Sequence, residues 1–215
     1  MEKLTLYGTP LSHFTRKVRI LLLELGIPFD AIRPPDLLAT TPSAYGANPL
    51  MRVPTLVHAG KTIIDSDHIA RYLVSAFDAG DRFGVMSADP RAMNRLAVAN
   101  GIMAHEVTLI LAERGGVENL HGAPYFRKLR EAIDAGLTWL AAGAELDAPG
   151  FSYADIATVA MWQHVEHYAS APDLGRFEGI AARVARFAAR PSVAATTPAA
   201  SVATAAEWEA RAGRA

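Results

Sequence analysis

Strand signals crowd into the chain before Asp65 and then stop, and the first two of them are separated by one helix. Nothing else in the sequence limits the fold as much, because a strand–helix–strand order predicts parallel strands joined by a right-handed crossover. Leu4 to Tyr7 read as the first strand. From Phe14 to Leu25 apolar residues recur at helical spacing (Val18, Leu21, Leu22, Leu25) until Gly26 and Pro28 end the helix, and Phe29 to Ile32 read as the second strand. After a loop with Pro34, Pro35 and Pro42, the segments Thr55 to His58 and Lys61 to Ile64 flank Ala59-Gly60, which is a hairpin signal. The second hairpin strand runs into Asp65-Ser66, a helix start, and Ile69, Tyr72 and Leu73 form the apolar stripe of that helix.

Past Phe77 the chain turns polar and glycine-containing, and from there its periodicity is helical. Helices are predicted over Pro90 to Glu113, Tyr125 to Leu146, Ala154 to Tyr168 and Phe177 to Phe187. The third of these is apolar almost all round, which predicts a central, buried helix. The Ala-rich tail after Pro191 has weak periodicity and reads as partly ordered at most. The expected organisation is an α/β domain of βαβ–ββα order over 1–78, a linker over 79–86 and an all-α domain over 87–215.

The chain has 215 residues, 51% hydrophobic and 20% charged, enough for a sizeable core. Its net charge of −1 leaves no basic excess to neutralise phosphates, so nucleic acid is not an expected partner. It opens without a charged leader or an apolar signal region, and no uninterrupted apolar run reaches the roughly 18 residues of a membrane span. A cytoplasmic protein without a membrane partner is expected. The absence of cysteine excludes disulfide exchange by the chain, a thiolate nucleophile and Cys-bound metal.

Three features before residue 80 carry chemistry: Ser12 between the first strand and its helix, Arg52-Val53-Pro54 before the third strand, and Asp65-Ser66 before the second helix. Each has an ordinary structural use. Ser12 and Asp65 are favoured helix caps, and Val-Pro is a common extended dipeptide. Taken in order, however, "YGTPLSHFTRKVRILL", "NPLMRVPTL" and "IIDSDHIARYL" resemble the N-terminal domain of the glutathione S-transferase family, in its serine-type, bacterial-like branch. "FSYADI" at Phe151 to Ile156 is similar to that family's capping box and hydrophobic staple, Ser152 with Asp155 and Phe151 with Ile156. The resemblance covers essentially the whole chain. It implies a thioredoxin-like α/β domain followed by an all-α domain, with a homodimer as the assembly.

By that resemblance Pro54 is a cis-proline that turns the Val53 backbone toward the cysteinyl part of glutathione, which pairs with it like an added strand. Ser66 and the N–H groups of its helix start would hold the γ-glutamyl carboxylate, since a helix N-terminus attracts anions. Asp65 would take the γ-glutamyl ammonium or serve only as a cap. Arg52 stands where the family usually has lysine, and would attract the glycine carboxylate. Met51 departs from the glycine often found there, which puts the loop conformation in question.

A serine hydroxyl is far too weak a base to take a thiol proton at neutral pH, but it can donate to a thiolate. Lowering a thiol pKa by about two units needs about 2.7 kcal/mol of preference for the thiolate. A hydrogen bond to a charged acceptor supplies about 1.5–3 kcal/mol and a helix N-terminus about 0.3–1 kcal/mol more. The expected enzyme is therefore a glutathione transferase, with glutathione as co-substrate and Ser12 stabilising its thiolate for attack on a small hydrophobic electrophile placed by the helical domain. Tyr7 competes for that role, because other classes of the family use a tyrosine on this strand. A glutathione-dependent isomerase or dehalogenase, and a non-catalytic glutathione-binding protein of the same fold, are the alternatives. His164 and His167 lie three apart on one helix without a third ligand at a recognisable distance, so no metal is expected. Met103, His105, Glu106 and Ile110 lie on the first helix of the second domain, where that family's electrophile pocket usually borrows side chains, but core packing explains the Met and the Ile as well, and none of the four receives a role.

Overall fold

The structure is a computed structural model and describes residues 3–143 and 149–212. It divides into two compact units, Met1–Met86 with Arg190–Ala215, and Ser87–Ala189. In the first, β1 (Leu4–Tyr7), β2 (Phe29–Ile32), β3 (Thr55–His58) and β4 (Lys61–Ile64) form one sheet in the order β2-β1-β3-β4. β1 and β2 are parallel, as the single helix between them requires, and β3 is antiparallel to both β1 and β4. The register aligns Tyr7 with Thr55 and Thr55 with Ile64. The end of β1, the beginning of β3 and the end of β4 therefore lie side by side along one edge of the sheet, one strand spacing of about 4.8 Å apart.

α1 (His13–Leu25) and α2 (Ser66–Phe77) pack together in this unit. Gly26 ends α1 in the left-handed conformation (φ 67°), with its N–H on the carbonyls of Leu22 and Leu23. The apolar stripe Val18, Leu21 and Leu22 is fully buried. So, against the usual rule for charged residues, are Arg16, Lys17 and Arg19 on the other faces of the helix.

The cover over the two arginines comes from the other end of the chain. α7 (Pro191–Ala194) and α8 (Pro198–Ala212) are helices, where the weak periodicity predicted partial order. They join the first unit rather than the all-α domain to which 87–215 was assigned. The reason is polar and long-range. Arg16 donates to Thr196 Oγ1 at 3.2 Å and to the Val193 carbonyl at 3.4 Å, and Arg19 donates to Ser201 Oγ at 3.2 Å. Glu24 accepts two bonds from Arg190, at 2.9 and 2.6 Å, and another from Ser192. The inward faces of these helices carry Ser192, Thr196 and Ser201, so their pattern is that of a solvated segment although all three are buried.

The second unit is helical. α3 (Pro90–Arg114) packs on α4 (Pro124–Ala141) and α5 (Tyr153–Tyr168), and α6 (Glu178–Phe187) packs on α5. α4 stops at Ala141, short of the predicted Leu146, which lies outside the described residues. Among the described residues, α3 is long and apolar enough by length and composition to cross a membrane. The apolar character is interrupted by Arg95, Asn100, His105 and Glu106, which is why no continuous run marks it in the sequence. α5 is buried on nearly every face, as its all-round apolar sequence predicts. The capping box closes in full, with Ser152 Oγ accepting from the Asp155 N–H at 3.2 Å and Asp155 accepting from the Ser152 N–H at 2.9 Å.

Asp155 does more than cap. Arg95 of α3 reaches its Oδ1 at 2.7 Å, and Arg183 of α6 donates to both oxygens, at 3.0 and 2.8 Å. All three residues are buried. Burial alone would raise the Asp155 pKa, but bonds from Arg183, the Ser152 N–H and Arg95 overturn that and hold the carboxyl below its usual range.

Candidate functional site

Three segments meet at the aligned strand ends. After β1, the turn Thr9–Ser12 closes with the Ser12 N–H on the Thr9 carbonyl at 3.1 Å. Ser12 is the N-cap of α1, and its hydroxyl accepts from the Thr15 N–H at 3.3 Å. A serine hydroxyl has two lone pairs and one hydrogen, so accepting that bond leaves the O–H hydrogen uncommitted by the cap. Gly8 brings the strand close to the helix: a Cβ there would lie 2.4 Å from Thr15 Cγ2. Tyr7, the rival hydroxyl, ends β1 two strands from Ile64, and its ring is packed against Gly46, where a Cβ would sit 2.7 Å from Tyr7 Cδ2.

Before β3, the Val53–Pro54 peptide bond is cis. Met51 adopts φ 49°, the left-handed conformation that glycine takes without a steric penalty. Arg52 and Met51 are exposed, Val53 is half-buried and Pro54 is buried. The loop is held by Asn48, to which sequence reasoning gave no role. Its Nδ2 donates to the Arg52 carbonyl at 2.9 Å and to Thr55 Oγ1 at 3.1 Å, while its Oδ1 accepts from the Leu50 N–H at 2.9 Å. The Asn48-Pro49 dipeptide, a turn signal, was what the sequence offered, and the fold buries its asparagine.

After β4, Asp65 is the N-cap of α2 and accepts from the N–H groups of Asp67 and His68, at 2.9 and 3.2 Å. Both bonds go to Oδ1, so Oδ2 takes no part in the cap. Asp65 is exposed and held at φ 75°, ψ 134°, a conformation costing a non-glycine residue on the order of 1–3 kcal/mol, while the neighbouring Ser66 is buried. Beneath this helix start lies Lys17, a second residue that sequence reasoning passed over. Its Nζ is 2.6 Å from Asp67 Oδ1 and its side chain is wholly buried. Desolvation pulls its pKa down, against the attraction of Asp67 and Asp65.

The structure thus brings Ser12, Arg52, Val53, Pro54, Asp65 and Ser66 to adjoining strand ends of one unit. It separates the environments of the histidines on α5: His164 is buried with Nδ1 2.9 Å from Glu106 Oε2, and His167 is exposed, edge-on to Tyr168.

Residues 6–81 match the glutathione S-transferase N-terminal domain family. No curated protein sequence matches the chain. Among solved structures, a glutathione transferase family member from Pseudomonas fluorescens Pf-5 with bound glutathione is 28% identical, with a TM-score of 0.77 over 91% of this chain and 99% of that one. A glutathione S-transferase from Methylobacterium radiotolerans, in complex with glutathione sulfonate, is 27% identical, with a TM-score of 0.76 over 91% and 95%. A thioredoxin-like α/β unit with a glutathione S-transferase N-terminal domain, followed by an all-α unit, defines the class of protein. Residues 6–81 of this cysteine-free chain thus carry a glutathione S-transferase N-terminal domain.

Proposed function

We propose that the protein is a glutathione transferase that holds the thiol of glutathione as a thiolate with Ser12 and lets it attack a small hydrophobic electrophile. The observation that carries this is the register Tyr7–Thr55–Ile64, which places the Ser12 turn, the Val53–Pro54 step and the Asp65-Ser66 helix start along one sheet edge. A short extended peptide laid across those ends would meet all three segments. The main chain of Val53 would pair with its cysteinyl residue. Ser66 at the opening of α2 would face its γ-glutamyl carboxylate, with Asp65 Oδ2 toward the ammonium, and the exposed Arg52 guanidinium would bind the glycine carboxylate bidentately. The bound ligands of the Pseudomonas and Methylobacterium structures support glutathione as that peptide.

The chemistry asked of the protein is modest. The thiol proton leaves to solvent, Ser12 donates its O–H to the thiolate left behind, and the positive end of α1 adds to the stabilisation. The sulfur then forms its bond to the electrophile's carbon as the leaving group departs with its electron pair. Homodimerisation and a cytoplasmic setting belong to the same proposal.

Two measurements test it. The purified protein should conjugate glutathione to an activated aryl halide, and it should be retained on immobilised glutathione. Arg52→Ala and Ser66→Ala should each weaken glutathione binding by about 10–100-fold, the loss of one charge-assisted contact of about 1.5–3 kcal/mol. Unchanged retention of both variants would remove the proposed binding site.

A further inference from the structure

Arg19 on α1 touches both the Ser12 turn and the C-terminal helix. Its Nη1 lies 3.3 Å from the carbonyl of Pro10 and 3.2 Å from Ser201 Oγ on α8. Its guanidinium carbon sits 5.3 Å from the ring centroid of Trp208, one turn from the end of the same helix. Arg19 is 5% exposed and Trp208 is 4% exposed, so water does not screen these contacts. Pro10 is two residues before Ser12, inside the turn closed by the Ser12 N–H on Thr9.

Arg16 supplies an internal contrast. It lies three residues earlier on the same helix, is buried to the same degree and is bonded to the same C-terminal segment, through Thr196 and Val193. Its backbone N–H also donates to the Ser12 carbonyl at 2.8 Å, a bond that a change of side chain leaves in place. Two buried guanidinium groups thus tie α1 to the C-terminal segment, and that of Arg19 also donates to the Pro10 carbonyl.

We propose that Arg19 is a positioning residue for Ser12, through which α8 holds the Pro10 carbonyl, and with it the Ser12 hydroxyl, in the orientation that stabilises the thiolate. This rests on the glutathione transferase reading for its chemical consequence. Its mechanical part, the dependence of the turn on Arg19, stands apart from that reading. A donor to a charged sulfur is sensitive to direction, and misplacement of a catalytic group by a fraction of an ångström is costly in rate. α8 is then part of the catalytic apparatus of the first unit, although it touches no reacting atom.

The test compares Arg19→Gln, Ser201→Ala and Arg16→Gln with the wild-type chain. Backbone amide exchange at residues 11–13 should rise about tenfold in Arg19→Gln and stay at the wild-type level in Arg16→Gln, although both variants lose stability. With glutathione saturating, Arg19→Gln should lower kcat by about tenfold and move the acidic limb of its pH profile up by about one unit, with KM for glutathione held. Ser201→Ala should do the same to a smaller degree, and should add nothing in the Arg19→Gln background. If Arg16→Gln changes exchange and pH profile as much as Arg19→Gln, or if Arg19→Gln changes neither, the assignment is wrong. A wild-type protein without glutathione turnover would sink the functional reading alone, and the exchange at the turn would still decide whether Arg19 holds it.

Discussion

Ser12→Ala and Ser12→Gly should both lower kcat/KM for glutathione conjugation by about 10–100-fold, and only the alanine variant should lose measurable stability. The activity loss is the removal of one hydrogen bond to a charged acceptor, about 1.5–3 kcal/mol, expressed in the rate. The stability difference arises because Ser12 also caps α1 through Thr15. Alanine in place of a serine cap costs about 0.5–2 kcal/mol, whereas glycine costs a few tenths of a kcal/mol. The pair therefore separates the two uses of one hydroxyl. Binding of glutathione should be retained in both, and the pKa of the bound thiol should rise by about one to two units. Full activity in Ser12→Gly would transfer the donor role to Tyr7, which Tyr7→Phe would then abolish.

Asp155→Ala should cost the second unit about 3–5 kcal/mol, the effect of removing one partner from a buried ionic cluster. Arg95 and Arg183 would be left as buried cations facing each other's charge, and the α5 capping box would be lost with them. Chemical denaturation followed by the fluorescence of Trp162, which is buried on α5, should report it. A loss under about 1 kcal/mol would mean that water or rearranged neighbours satisfy the arginines without Asp155. The cluster also sets a pH dependence. The folded pKa of Asp155 lies below its unfolded value, so its stabilisation is complete above the unfolded carboxylate range, near about pH 4, and is lost as pH falls through the folded value. Wild-type stability should therefore fall in acid more steeply than that of Asp155→Asn.

The local part of the fold was legible because its signals are local. Gly26 and Pro28 stop α1, Ala59-Gly60 turns the hairpin, and the strands of that hairpin match the predicted bounds. Asp65-Ser66 and Ser152-Asp155 open helices by chemistry contained within a few residues. The segments that carry the candidate site residues were locatable for the same reason, since each stands beside a strand end that the pattern marks. What stayed hidden were polar contacts between residues far apart in sequence. Arg16, Lys17 and Arg19 received no role, because helical periodicity locates an apolar stripe and says nothing of the partners of the charges beside it. Thr196, Ser201 and Asp67 are those partners, and no spacing rule links them to α1. Asp155 was found as a cap, but Arg95 and Arg183, 60 and 28 residues away, were not. Asn48 was quoted within a motif, yet its work is done through side-chain bonds that only the folded loop defines.

The position of α7 and α8 also bears on how the chain is made. The bond from Arg16 to Thr196 spans 180 residues and that from Arg19 to Ser201 spans 182. During vectorial synthesis, α1 emerges from the ribosome long before its polar cover exists, and the whole helical unit is translated in between. At roughly 5–20 residues per second, the two arginines wait on the order of ten seconds or more for their partners. Until then Arg16 and Arg19 lack the hydroxyl partners that Thr196 and Ser201 give them, so the sheet can form well before the polar cover of α1 is complete.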